Sequence, residues 1–228
     1  KNYLKLIKLR KEKMPIKYIL EECEFMGINL YIKPGVLIPR PDTEVLVEEV
    51  LDKLPKEQEL KICDMCCGSG AIGIALSSIR KDIKVHCVDI SDTAGEVTKR
   101  NISRLGLKDR VSFIKSDLFA ALPEEKDYDA IVSNPPYIKK EVIPTLMEDV
   151  REYEPHLALD GGRDGLDFYR SITKESIKRL KPGAILAFEI GFDQEQEVCE
   201  ILESHGFTGV KCYKDLAGNS RVVLGFMI

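Results

Sequence analysis

The chain has 228 residues, 44% of them hydrophobic, with 34 Lys and Arg against 38 Asp and Glu for a formal net charge of −4. That length can bury the core of one domain with a small appendage, and the slight acidity gives no overall drive toward nucleic acid. Its apolar runs, such as 184–188, are too short to span a bilayer, and seven cysteines at irregular spacing argue against a disulfide framework and for a reducing, cytoplasmic setting.

Residues 1–22 pattern as helix, broken near Met14-Pro15. Lys1, Lys5, Lys8, Arg10, Lys11, Lys13 and Lys17 gather there with only Glu12 opposing them, which reads as a solvated face rather than a contact for an acidic partner. The chain opens on Lys1 rather than Met, so a fragment or a processed chain is expected. A short hairpin is expected over 24–32, turning around Gly27-Ile28-Asn29, with Pro34-Gly35 as punctuation. Strands and helices then alternate. Strands are expected at 61–64, 84–89, 110–115 and 129–133, with helices at 71–80 and 92–105. A long connection over 138–166 precedes a helix ending near Leu180. Lys181-Pro182-Gly183 introduces a strand at 184–190, followed by a helix at 194–205 and strands at 209–213 and 221–227. This alternation predicts an α/β fold, a doubly wound, mostly parallel sheet covered on both faces. The turn containing Gly218-Asn219 joins the last two strands and adds an antiparallel one.

The strand at 129–133 runs into Asn134-Pro135-Pro136-Tyr137, where two prolines must end it. Ligands of open α/β sheets bind at such strand ends. Asn134 offers an amide oxygen, Pro135 a carbonyl without an N–H, and Tyr137 a flat ring. Two acceptors beside a ring suit a planar group whose nitrogen carries two hydrogens, so chemistry on nitrogen is expected.

Between the first strand and helix of the sheet lies Asp64-Met65-Cys66-Cys67-Gly68-Ser69-Gly70, a turn whose glycines allow close backbone approach to a ligand. It has neither the Gly-x-Gly-x-x-Gly spacing of a dinucleotide loop nor a Walker lysine. Asp89 ends the next strand 19 residues after Gly70, as suits a carboxylate that accepts ribose hydroxyls, and Asp117-Leu118 follows the third strand. An acidic residue after each of three strands fits a ligand with an amine, a ribose and an adenine but no phosphate. S-adenosyl-L-methionine meets that description, whereas a nicotinamide dinucleotide would be repelled through its pyrophosphate.

Together the loop, Asp89, Asp117 and Asn-Pro-Pro-Tyr resemble the class I S-adenosylmethionine-dependent methyltransferases, whose sheet has seven strands, Rossmann-like, with the last antiparallel. The stretch from Leu37-Ile38-Pro39-Arg40-Pro41-Asp42-Thr43-Glu44 to Val47 further resembles the HemK/PrmC family. Glu154 to Gly162, Asp164 to Arg170, Glu189-Ile190-Gly191 and Asp215 to Gly225 continue that likeness, which runs from about residue 14 to the C-terminus. The resemblance implies methyl transfer to the glutamine side-chain amide of the Gly-Gly-Gln motif in peptide chain release factors. It implies residues 36–228 as the transfer domain and residues 1–35 as a hairpin plus the end of an N-terminal helical domain that helps hold the release factor. The family commonly has glycine where Cys66 stands, a mild departure.

Catalysis is thus expected at Asn134, Pro135 and Tyr137, with Pro136 and Arg40 also on the substrate side. The cofactor is expected on Asp64, Cys66, Cys67, Gly68, Ser69, Gly70, Asp89, Ile90, Asp117, Leu118 and Asn134, with no metal. Arg40 reads equally well as half of a surface salt bridge, and Glu189 as a supporting residue behind the cleft. Cys63, Cys66 and Cys67 lack a second cysteine pair, and His86, His156 and His205 lack ligand spacing. Phe168, Tyr169 and Ile172 have the spacing of a helix's core face. Two other functions compete: methylation of an adenine or cytosine amino group in nucleic acid, disfavoured by Glu141, Glu148 and Asp149 beside the motif, and a catalytically idle cofactor-binding module. No membrane contact and no direct nucleic-acid binding are expected.

Overall fold

Pro15 separates two short helices, α1 (Tyr3–Lys11) and α2 (Ile16–Leu20), because its ring carries no N–H to continue the first. The computed structural model describes residues 3–56 and 58–228, so Lys1 and Asn2 of the expected helix lie outside the described residues. Strands β1 (Glu22–Phe25) and β2 (Ile28–Tyr31) pair through Met26-Gly27, both at positive φ, 51° and 72°. The turn thus falls ahead of the expected Gly27-Ile28-Asn29. Two left-handed residues give a two-residue loop the twist its strands require, and Ile28 and Asn29 are already in β2.

A 3₁₀ turn over Pro41–Thr43 enters α3 (Glu44–Lys53), a helix the sequence reading lacks. Its Leu46, Val47 and Val50 face the core, and the Glu44 carboxylate accepts the Met26 N–H of the hairpin turn at 2.7 Å. The main sheet follows as β3 (Leu60–Met65), α4 (Ala71–Ile79), β4 (Ile83–Asp89), α5 (Asp92–Arg104), β5 (Val111–Lys115) and β6 (Tyr128–Ser133). It continues with α6 (Glu148–Tyr153), α7 (Asp167–Ser176), β7 (Leu180–Glu189), α8 (Glu195–Ser204), β8 (Phe207–Lys214) and β9 (Ser220–Met227). Spatial order is β5-β4-β3-β6-β7-β9-β8, parallel throughout except β9, which runs against both its neighbours. The expected seven-stranded fold is borne out.

Alternation along the strands divides the core. Ile62, Ala130 and Val132 pack with α3, α4 and α5, whereas Cys63, Met65 and Ile131 pack with α7 and α8. The helix expected to end near Leu180 stops at Ser176, and β7 begins four residues before the expected 184. Lys181-Pro182-Gly183 bulges out of β7, so pairing with β6 jumps from Tyr128↔Leu180 to Ala130↔Ile185. Among the described residues no helix is long and apolar enough to cross a membrane.

Because β3 pairs with β4 on one side and β6 on the other, the chain reverses its winding at β3. The crevice beyond the carboxyl ends of these strands is where such a sheet receives a ligand.

Candidate functional site

The β3–α4 turn is shaped by three left-handed residues, Cys66, Gly68 and Gly70, at φ 60°, 55° and 79°. Cys67 N–H donates to the Val88 carbonyl at 3.0 Å, and Gly70 N–H closes the turn on the Cys67 carbonyl at 2.8 Å. From α5, Thr98 donates to the Gly68 carbonyl at 2.9 Å and Asn101 to the Ser69 carbonyl at 3.1 Å. Asn101 also exchanges hydrogen bonds with the backbone of Tyr31, accepting at 2.7 Å and donating at 2.9 Å, so one buried amide ties the hairpin to the loop.

Asp89 stands beside this loop. Its two oxygens accept the N–H groups of Gly68 and Ser91, each at 2.9 Å, while burial raises its pKa against the pull of those donors. Asp64 lies behind the loop, fully buried. One of its oxygens accepts Gly73 N–H at 2.9 Å, the other has no partner among the described residues, and burial pushes its pKa up to about 7.

The crevice brings together most of the expected cofactor residues. Cys66, Cys67, Gly68 and Ser69 line it, with Asp89 and Ile90 after β4, Asp117 and Leu118 after β5, and Asn134 with Pro136 after β6. Asp64 and Gly70 do not reach it; both support the turn from within. Met65, Ile72, Val88 and Phe168 add apolar wall; Phe168, half-buried, also packs against the core as expected, and Tyr169 and Ile172 are fully buried. Among the described residues no lysine or arginine lines the crevice. Carboxylates at its polar edge and an apolar wall fit a cationic nucleoside such as S-adenosyl-L-methionine and not a pyrophosphate.

The other half of the site is built from side chains. The Asn134 amide donates to the Thr43 hydroxyl at 3.4 Å, which leaves its oxygen uncommitted. Pro135 is buried and off the cleft lining. Tyr137 also stays off that lining. Its hydroxyl donates to Glu189 at 3.2 Å and its carbonyl accepts from Gln194 at 3.0 Å. Gln194, 4% exposed, also donates to the Gly165 carbonyl at 3.2 Å and accepts from Gly191 N–H at 3.0 Å. A Cβ at Gly161 would stand 2.7 Å from Tyr137 Cα, and one at Gly165 would stand 2.4 Å from its carbonyl oxygen. These glycines let the loop before α7 press directly on the Asn-Pro-Pro-Tyr turn.

Arg40 does not line the cleft. It pairs with the buried carboxylate of Glu154, whose pKa burial raises and Arg40 lowers. Pro39 and Pro155, the neighbours of that pair, are both cleft residues, so the pair joins two pieces of wall. Thr43, Asn101 and Gln194 were missed from sequence. Asn101 left a trace, a polar residue on the buried stripe of α5 with Ala94, Val97 and Ile102. Thr43 sits inside the Pro-Arg-Pro-Asp-Thr-Glu run, and Gln194 leaves no signal beyond its place ahead of α8.

Comparison with known proteins follows from this geometry. The family described as Methyltransferase small domain matches residues 41–161. A release factor glutamine methyltransferase of Clostridium botulinum is 54% identical over 222 residues, covering 97% of this chain and 78% of that protein. The chain belongs to the release factor glutamine methyltransferase family. Among solved structures, the release factor-specific protein-(glutamine-N5) methyltransferase of Alicyclobacillus acidocaldarius is 31% identical with a TM-score of 0.51, covering 86% of this chain and 98% of that one. A 16S rRNA methyltransferase of T. thermophilus, solved with AdoMet and guanosine, shares the fold at 19% identity and a TM-score of 0.66, covering 91% of this chain and 50% of that one. The family expected from the motifs is borne out. As a release factor glutamine methyltransferase family member, the chain has its Asn134-to-Tyr137 turn at the switch point of a class I methyltransferase sheet.

Proposed function

We propose that this methyltransferase transfers a methyl group from S-adenosyl-L-methionine to the side-chain amide nitrogen of the glutamine in the Gly-Gly-Gln motif of peptide chain release factors, leaving S-adenosyl-L-homocysteine. One observation carries the chemistry: the Asn134 amide group is turned to Thr43, so its oxygen is left to accept.

When bound, S-adenosyl-L-methionine supplies a methyl group made electrophilic by its sulfonium. Asp89 would accept the ribose hydroxyls, Cys66 to Gly70 would offer backbone N–H groups and close approach, and Ile90, Asp117 and Leu118 would hold the adenine. Asp64 would act from behind the loop. A glutamine amide nitrogen is a poor nucleophile because its lone pair is delocalised into the carbonyl. Asn134 Oδ1 and the Pro135 carbonyl would take its two N–H bonds, aim the nitrogen and favour the positive charge that develops on it. No strong base is needed beforehand, since the methylated nitrogen becomes acidic and can lose its proton afterwards. Pro136 would shape the wall beside the acceptor, Tyr137 would hold the turn through Glu189 and pack beside the substrate amide, and Arg40 would brace the cleft through Glu154. Residues 36–228 would carry this chemistry, with residues 1–35 as the appendage on the release-factor side. A crevice lined by no lysine or arginine among the described residues supports a protein substrate over a phosphate-bearing one.

Mass spectrometry of an unmethylated release factor incubated with this protein and S-adenosyl-L-methionine tests the proposal. One added methyl on the Gly-Gly-Gln glutamine is expected, absent with Asn134→Ala although that variant still binds S-adenosyl-L-homocysteine. Near-normal transfer by Asn134→Ala would sink the role given to Asn134. Methylation of a nucleic-acid amino group in place of the glutamine would overturn the substrate.

A further inference from the structure

We infer, with Asn134 acting through its oxygen as proposed above, that Arg221 is a positioning residue for the acceptor half of the cleft. Its guanidinium fixes the turn that carries Thr43 against the end of β7, and so sets where the Asn134 amide stands. The Asn134 amide is held by the Thr43 hydroxyl, to which it donates at 3.4 Å, so the place of that hydroxyl decides where Oδ1 of Asn134 points. Thr43 is 4% exposed and ends a 3₁₀ turn of three residues. The turn's own bonds, Thr43 N–H to the Arg40 carbonyl at 3.1 Å and Glu44 N–H to the Pro41 carbonyl, fold it but do not place it on the sheet. On one side α3 places it, through Leu46 and Val47 in the core. On the other side Arg221 does.

Arg221, the second residue of β9, is bonded twice to the residue that follows β7. Its carbonyl accepts the Ile190 N–H at 2.8 Å, and its Nη1 donates to the Ile190 carbonyl at 3.4 Å. Its Nη2 forms an ion pair at 3.3 Å with Oδ2 of Asp42, the neighbour of Thr43. The same Nη2 donates to Asp215 Oδ2 at 3.0 Å, and Nε donates to that oxygen at 3.3 Å. One planar fork thus joins the 3₁₀ turn, the end of β7 and the turn between β8 and β9. The same end of β7 serves the far side of the Asn-Pro-Pro-Tyr turn. Glu189 accepts the Tyr137 hydroxyl at 3.2 Å, and Gln194 donates to the Tyr137 carbonyl at 3.0 Å. Asn134, through Thr43, and Tyr137, through Glu189, are therefore held by segments that Arg221 locks together.

The run Asp215 to Gly225 carries part of the family likeness yet lies off the cleft lining. A purely local role would give Arg221 to the β8–β9 turn. That turn closes by its own bonds: Asp215 Oδ1 accepts the Ala217 and Asn219 N–H groups at 2.9 and 3.0 Å, and Asp215 N–H donates to the Asn219 carbonyl at 2.9 Å. What calls for an arginine is the reach in three directions at once. A lysine ammonium is a point charge on a flexible stem, whereas a guanidinium is a rigid plane that keeps two carboxylates and a carbonyl at fixed spacing.

Steady-state methylation of an unmethylated release factor, with S-adenosyl-L-homocysteine affinity measured by calorimetry for each variant, tests this role. Asp42→Ala frees the turn at a side chain that is 53% exposed, so folding is not at stake. Its kcat is expected to fall about fivefold, with the KM for the release factor and the S-adenosyl-L-homocysteine affinity unchanged. Arg221→Lys loosens the turn from β7 as well and should lower kcat about 20-fold. Non-additivity shows whether the effect runs through Thr43. Thr43→Val removes the hydroxyl and should lower kcat by itself; in that background Asp42→Ala should cost nothing further, whereas a general loosening of the fold would add to it. Wild-type kcat in Asp42→Ala, a loss that appears as a raised KM instead, or the same loss with and without the Thr43 hydroxyl would overturn the inference. Should Arg221→Lys not fold, Asp42→Ala, alone and with Thr43→Val, still decides. If Asn134→Ala itself turns over normally, the reading of Asn134 fails, whatever Arg221 does.

Discussion

The two halves of the cleft are made in different ways. The half around the β3–α4 turn, the proposed cofactor side, is short-range and mostly backbone: the turn takes three left-handed conformations, and Asp89 holds it through main-chain N–H groups. The acceptor half is a buried network of side chains drawn from distant parts of the chain, with Thr43, Tyr137, Glu189, Gln194 and Arg221 around a single turn. A backbone site tolerates side-chain change and mainly sets affinity. A polar network has no slack, because each buried group depends on its neighbour's single hydrogen or lone pair. On the proposed function, damage to the first half should appear in cofactor binding and damage to the second in kcat.

Asp89→Ala should give the largest effect. It removes the acceptor for two backbone N–H groups and for the ribose, and cofactor affinity measured by titration calorimetry should fall about 100-fold. With cofactor saturating, kcat should change little; a collapse of kcat at intact affinity would break the division. Tyr137→Phe sharpens it from the other side. Loss of the donor to Glu189 should lower kcat about tenfold while calorimetry finds S-adenosyl-L-homocysteine affinity unchanged.

Asp64 gives a pH signature. Its pKa rises from 3.8 to about 7 on folding, so between these values the native state holds a proton the unfolded chain has released. Its contribution therefore lowers stability as pH rises from about 4 to about 7, with the full cost above that range. Asp64→Asn should flatten the slope in chemical denaturation series, since a neutral amide oxygen can still accept Gly73 N–H; an unchanged slope would assign the dependence elsewhere. Cys66→Gly should have the smallest effect. Removing a Cβ from a residue at φ 60° relieves strain, offset in part by the freer unfolded chain, for a net gain of about 0.5 kcal/mol. A drop in melting temperature would show that the thiol's packing outweighs the strain.

The same contrast explains what could be read from sequence. The sheet was legible because apolar strands alternate with helices, and the gathering of the Cys66-to-Gly70 turn, Asp89 and the Asn134-to-Tyr137 turn at one crevice because each is a contiguous motif at a strand end. Helix α3 escaped because the run before it reads as a proline-rich loop, and the start of β7 was hidden by a bulge holding Pro182 and Gly183, residues that usually mark a turn. Thr43 lies within a motif, the Pro-Arg-Pro-Asp-Thr-Glu run, but nothing there gives it a role, and Gln194 lies in no motif. Their importance lies in which atoms they meet across the fold, and Gln194 reaches Tyr137 across 57 positions of chain.

Asn101 bears on how far the protein can be shortened. Its side chain uses the oxygen on Tyr31 and both amide hydrogens on Tyr31 and Ser69, a closed set with one member in the cofactor turn. A version cut back to residue 36 would remove the hairpin strand that answers two of these bonds. A bare amide would then lie against the loop proposed to receive the nucleoside. The smallest fragment that keeps the cofactor turn in shape must therefore begin upstream of β2, and any library that samples start sites should show a sharp loss of nucleoside binding once Tyr31 is gone.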